Sequence, residues 1–124
     1  MGRVENLNRK TVARKLRFCG KFAKRNLAIE NAFESPCMEI EFDEMETFVH
    51  TKLKPLSIPL AVEFKTRRIL GFQVVSMPAK GLLAKKSVKK YGYREDKRVE
   101  GRRTLFEEIR PLIIDQAILR SDSN

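Results

Sequence analysis

From Asn8 onward, Val12, Leu16, Cys19 and Ala23 recur at spacings of four, three and four, which predicts one apolar stripe of a helix. Asn8 is a good N-cap for it, and Arg9, Lys10, Arg14, Lys15, Arg17, Lys21, Lys24 and Arg25 take most of the remaining circumference. Gly20 is expected to end or break this helix near its middle. After Glu34-Ser35-Pro36 the period changes to two. Met38, Ile40 and Phe42 alternate with Glu39, Glu41 and Asp43, which predicts a strand over residues 37–49. Residues 52–55 read as a linker, and Ser57-Ile58-Pro59 as a turn before a second strand at 60–64. Lys65-Thr66-Arg67 suits a hairpin into a third strand at 68–75, which residues 77–81 end. Residues 82–103, with Tyr91-Gly92-Tyr93 among many Lys and Arg, read as a mobile basic loop or a short helix joined to a loop. Leu105, Ile109 and Leu112-Ile113 predict a helix from about Thr104, with Pro111 ending or kinking it early. Ala117-Ile118-Leu119 predicts a buried fourth strand that delivers Asp122 at its C-terminal end.

A hairpin followed by a helical crossover to a further buried strand indicates a mixed α/β sheet. If the fourth strand docks parallel beside the first, Asp43 and Asp122 approach each other. Two such carboxylates suit Mg²⁺, a hard cation that prefers oxygen ligands and keeps several waters. The plainer reading makes Asp43 a surface acid and Asp122 a terminal one.

The length, 124 residues, allows one modest core, and a hydrophobic content of 42% is in the globular range. No apolar run approaches the roughly 18–20 residues that span a bilayer. The opening MGRVENLNRK lacks the apolar segment of a signal peptide, and Asn6 stands where a myristoylation motif needs a hydroxyl residue. A soluble, cytoplasmic protein is therefore expected, with no membrane partner. Cys19, Cys37 and the lone His50 lack zinc-ligand spacing and are expected to be ordinary residues, the cysteines reduced and partly buried.

Net charge is +10, and it is unevenly spread. Residues 1–28 carry nine Lys/Arg against one Glu, residues 29–63 two Lys against eight acids, and residues 64–104 thirteen Lys/Arg against three acids. Basic blocks of this kind attract phosphate backbones with little sequence preference. The acidic island between them would repel DNA unless a bound divalent cation, or something equivalent, neutralised it. The basic N-terminal helix fits a groove-reading element, a solvated surface helix or a calmodulin-type target.

Two segments add a resemblance. FDEMETFVHTK (42–52), followed by IPLAVEFKTRRILGFQV (58–74), is similar to the opening of the catalytic domain in bacterial insertion-sequence DDE transposases. Ala61, Thr66, Arg67, Ile69, Leu70 and Gly71 match that family's hairpin pattern, with Glu63 where Asp is common. The tail AILRSDSN (117–124) resembles the fourth strand of its RNase H-like sheet, and LNRKTVARKLRF (7–18) the second helix of its helix-turn-helix. The resemblance implies an α/β fold, a partial RNase H-like sheet over 35–124 behind a basic helical DNA-binding remnant over 1–34. It makes Asp43 and Asp122 the first two catalytic, metal-binding acids, with Mg²⁺ or Mn²⁺ as cofactor. It assigns Asn8, Arg9, Lys10, Thr11, Arg14, Lys15 and Arg17 to contacts with duplex DNA at element ends.

The third acid of that family, a Glu on a helix well beyond the second Asp, has no counterpart before Asn124, and only six residues precede Leu7. The chain is thus expected to be a transposase piece cut at both ends, nucleoid-associated and catalytically incomplete. It would associate with itself or with full-length transposase. The alternative is a small non-enzymatic DNA-binding or regulatory protein. The acidic island argues against a third class, a ribosomal-type RNA-binding protein.

Overall fold

The structure, a computed structural model, describes residues 8–121. It divides into two units, one running to Glu34 and the other from Ser35 onward.

The first unit is a helix, α1 (Arg9–Ala32), opened by Asn8, whose side-chain oxygen accepts the Lys10 N–H at 2.8 Å. Contrary to the expected break, α1 runs through Gly20. A mid-helix glycine costs only about 1 kcal/mol, and the 23 other residues contain no proline to remove a hydrogen bond.

The second unit holds a five-stranded mixed sheet: β1 (Cys37–Phe48), β2 (Pro55–Glu63), β3 (Ile69–Phe72), β4 (Val75–Ser76) and β5 (Ile113–Ser121). The order is β3-β2-β1-β5, with β4 also on β2. β1–β2 and β2–β3 are antiparallel and β1–β5 is parallel. The chain between β4 and β5 forms α2 (Leu83–Tyr91) and α3 (Arg98–Ile109) and then a 3₁₀ turn at Arg110–Leu112, where Pro111 stops the helix as its missing N–H predicts.

The predicted turn at Ser57-Ile58-Pro59 is instead the middle of β2, with Met45 opposite Ile58 and Glu44 opposite Pro59. Proline survives there because the ladder is interrupted beside it. The Pro59 carbonyl accepts the Gln73 N–H at 3.1 Å, so its N-side faces the segment between β3 and β4, where no N–H is needed. The single third strand expected over 68–75 is therefore split in two at Gln73-Val74. The chain reverses between β1 and β2 through His50, at φ 66°.

α3 starts earlier than expected, and Ile113, expected in its apolar stripe, begins β5 instead. Leu105 and Ile109 of α3 are buried and cover one face of the sheet, packing with Cys37, Ile40, Ala61 and Leu70. Phe42 and Phe106 extend this core, with ring centroids 5.3 Å apart. The helix comes close because Ala61 and Gly71 are opposite each other beneath it; a Cβ on Gly71 would lie 3.0 Å from Ile109 Cγ2.

Candidate metal centre and nucleic-acid surface

Strand alternation sorts the acids of β1 onto two faces. Ile40 and Phe42 point into the core, and Glu44, on the same side, accepts from Arg102 of α3 at 3.0 and 3.1 Å. Glu39, Glu41 and Asp43 share the opposite face. There Glu39 is paired with Arg120 of β5 and Glu41 with Arg67 of the β2–β3 turn. The Arg120 guanidinium also lies 4.3 Å from the centroid of the Phe64 ring. At the end of β1, Glu46 is paired with Lys80, and at the end of β2, Glu63 meets Arg68 at 3.3 Å. The acidic island is thus largely neutralised by Arg and Lys of the same chain, a solution that charge counting along the sequence does not reveal.

Among the acids of β1, Asp43 is the exception. It is exposed, and one of its oxygens accepts the Glu44 N–H at 2.8 Å. Among the described residues no ion pair reaches it. One carboxylate of this kind can offer a hard oxygen to a hydrated divalent cation. Among the described residues no three His, Cys, Asp or Glu side chains group closely enough to hold a metal together. Asp122, the expected partner, lies outside the described residues. The parallel ladder that leads toward it is described up to Phe42 opposite Ser121, the residues immediately before Asp43 and Asp122 in the chain.

The two cysteines differ. Cys19 is exposed on α1, whereas Cys37 is buried, its Sγ 3.1 Å from Arg68 Nη2. Burial pushes the Cys37 thiol up, and the neighbouring guanidinium only partly opposes it.

No family model matches the chain, and no curated protein or solved structure matches it either.

On α1, successive residues turn by about 100°, which separates the seven residues expected at DNA. Lys10, Arg14 and Arg17 fall on one arc, joined by Lys21, Lys24 and Arg25. Arg9, Thr11 and Lys15 fall outside that arc, and the oxygen of Asn8 is engaged in the cap. A helical projection of the sequence already contains this cationic arc. The likeness to a recognition helix ends at Phe18 and so reaches only its first half.

α2 forms a second basic surface. Ser87 is buried and donates to the Leu53 carbonyl at 2.6 Å, which fixes that side inward. Lys85, Lys86, Lys89 and Lys90 are exposed, and Lys54 lies 4.2 Å from the centroid of the Tyr91 ring. Gly92, at φ 80°, ends the helix, and Tyr93 beyond it is exposed. Arg94 is turned inward, donating to the Met77 and Pro55 carbonyls at 3.2 and 3.0 Å, so it supports the loop instead of presenting charge. No described helix is long and apolar enough to cross a membrane.

Proposed function

We propose that this chain binds duplex DNA through the cationic faces of α1 and α2 and carries the opening strands of an RNase H-like sheet of the insertion-sequence transposase type. In this reading Asp43 and Asp122 are carboxylate ligands for Mg²⁺ or Mn²⁺, and DNA binding gives the chain a nucleoid location. The observation that carries the proposal is the parallel β1–β5 ladder, with Phe42 opposite Ser121 one residue before each aspartate. Support also comes from the strand order, two antiparallel steps and then a helical crossover to a strand parallel with the first, which the resemblance of residues 42–52, 58–74 and 117–124 implies. When bound, a divalent ion at two carboxylates would polarise a phosphate oxygen. Asp43 itself would supply an anionic oxygen on the sheet face opposite α3.

A second reading, a DNA-binding regulator without metal chemistry, is favoured by the ion pairs of Glu39, Glu41, Glu44 and Glu46. With those charges already compensated, DNA can approach without a cation. Titrating Mn²⁺ into wild type and Asp43→Asn while following free Mn²⁺ by electron paramagnetic resonance separates the two readings. The transposase-type reading expects binding by wild type that weakens at least about tenfold in the variant, since one of two charged ligands is lost. Identical titrations would remove the metal centre and leave the regulator. Unchanged mobility of a DNA duplex with either protein at low salt would remove both.

A further inference from the structure

The end of the β1–β2 hairpin and the start of α2 form an open cleft of about 240 Å³. Phe48, Pro55, Met77 and Leu83 give it apolar walls, and Lys52 and Lys80 also line it. Glu46, the acid that lines it, is the partner of Lys80, and no ion pair reaches Lys52 among the described residues. The cleft is smaller than the roughly 300–1,000 Å³ of pockets that hold a whole cofactor, so it suits a single ring. Phe48 is 48% exposed, which leaves ring surface for stacking. A strip of aromatic and cationic side chains continues from the cleft. Leu83, Ser87 and Tyr91 recur every fourth residue and share one face of α2. Leu83 lines the cleft, Ser87 is fixed to the Leu53 carbonyl, and the Tyr91 ring holds the Lys54 ammonium 4.2 Å from its centroid. That face therefore runs beside the 52–55 turn, and the rise from Leu83 to Tyr91 is about 12 Å. Lys86 and Lys90 border the face, Tyr93 just beyond it is 81% exposed, and α2 contains no acid.

We infer that this strip binds an unpaired DNA strand, with one base in the cleft against Phe48 and the adjoining phosphates on Lys54, Lys86 and Lys90. The inference rests on the reading that the cations of α2 take a phosphate backbone, and it adds the form of DNA that the neighbouring cleft selects. Cations alone accept any phosphate backbone. An apolar, ring-sized cleft with an exposed aromatic side chain adds an interaction with the face of a base, and duplex DNA keeps those faces stacked on one another. The uncompensated charge is positive throughout the strip, which suits a polyanion and opposes a basic peptide. Lys85 and Lys89 point away from the cleft-bearing face of α2, so they remain free for a duplex beside the unpaired strand.

The test uses the full chain and an oligothymidylate of about 12 nucleotides, within the site sizes of single-strand binders, beside an abasic oligomer of equal length and charge. Fluorescence anisotropy is expected to show at least about fivefold tighter binding of the thymidylate, the lower limit for one stacked base. Phe48→Ala and Phe48→Leu, which both lack a π-face, should lose most of that preference while their affinity for the abasic oligomer and for duplex DNA stays unchanged. The chain has no tryptophan, so Phe48→Trp supplies a single reporter. Its fluorescence should be quenched by the thymidylate and not by the abasic oligomer. Equal binding of the two oligomers by wild type would overturn the inference, and duplex binding in the same experiment would leave the reading of α2 as a phosphate surface standing. Failure to bind the duplex and both oligomers would remove both. Binding of the thymidylate without the duplex would keep this site and remove the duplex reading. A Phe48→Ala chain that retains the preference, or a Phe48→Trp signal that the thymidylate does not change, would overturn the site. So would an oligouridylate held more tightly than the thymidylate, in favour of RNA.

Discussion

Asp96 shows how one side chain fixes the start of an element that has no side-chain cap of its own. Its carboxylate accepts the backbone N–H of Arg98, the first residue of α3, at 3.1 Å and the Arg98 side chain at 2.9 and 2.6 Å. The Arg98 side chain first, and its backbone N–H second, hold the Asp96 carboxyl down to about 2, below the ordinary 3.8. A depressed carboxyl stabilises the fold fully above its ordinary value, and that contribution is lost as pH falls from 3.8 through about 2. Carboxyl titration by NMR should therefore show Asp96 near 2 in wild type and back in the ordinary carboxylate range in Arg98→Ala. A variant that still titrates as wild type would mean that Arg98 is not the cause. Gly20 offers a second residue-scale outcome. Its position is open, with nothing within 4 Å of where a Cβ would stand, so Gly20→Ala should stabilise α1 by about 0.5–1 kcal/mol. Thermal melting followed by helical circular dichroism should record that as a higher midpoint.

At the scale of elements, the closest approach is α3 over β4. A Cβ on Gly101 would sit 2.8 Å from Val75 Cγ1 and 3.0 Å from Cγ2. Valine is stiff about its only side-chain torsion, so Gly101→Ala must move helix or strand. The gain in helix propensity offsets part of that cost, and a net loss of about 1–2 kcal/mol is expected in urea unfolding. Gly101→Ala combined with Val75→Ala should recover most of it; no recovery would show that the contact is not the source. Such contacts explain what is legible in the chain and what is not. The alternation around Ile40 and Phe42, the apolar spacing of Leu105 and Ile109, and the stop at Pro111 are local signals, and they predict β1, α3 and its end. Pro59 within β2 is illegible, because a proline is tolerated there only through a gap in the neighbouring strands, a tertiary fact. The pairing of Glu39 with Arg120 and of Glu44 with Arg102 is equally hidden, since the partners lie far apart along the chain.

For the whole molecule, the uneven charge becomes a division of labour. The acids of β1 and β2 are mostly consumed by the fold's own cations, while the cations of α1 and α2 are left at the surface. If those two helices bind the phosphate backbone, affinity must fall with salt, by a slope of about 0.9 per phosphate neutralised. Arg14, Arg17 and Lys21 lie on the α1 arc, so replacing all three with Gln should flatten the slope by about 2–3; replacing Lys85 and Lys89 on α2 should flatten it by up to about 2. Because the contacts are with phosphates, both sets should weaken binding equally on unrelated duplexes. Lys15→Gln, off the cationic arc, should leave the slope within about 0.5 of wild type, since that position lies outside the arc assigned to the phosphates. Fluorescence anisotropy of a labelled duplex from about 50 to 200 mM salt measures all of these, a range over which such slopes are resolved. The outcome that would defeat the assignment is specific: a triple α1 variant with the wild-type slope would mean that α1 faces something other than DNA, whatever its charge.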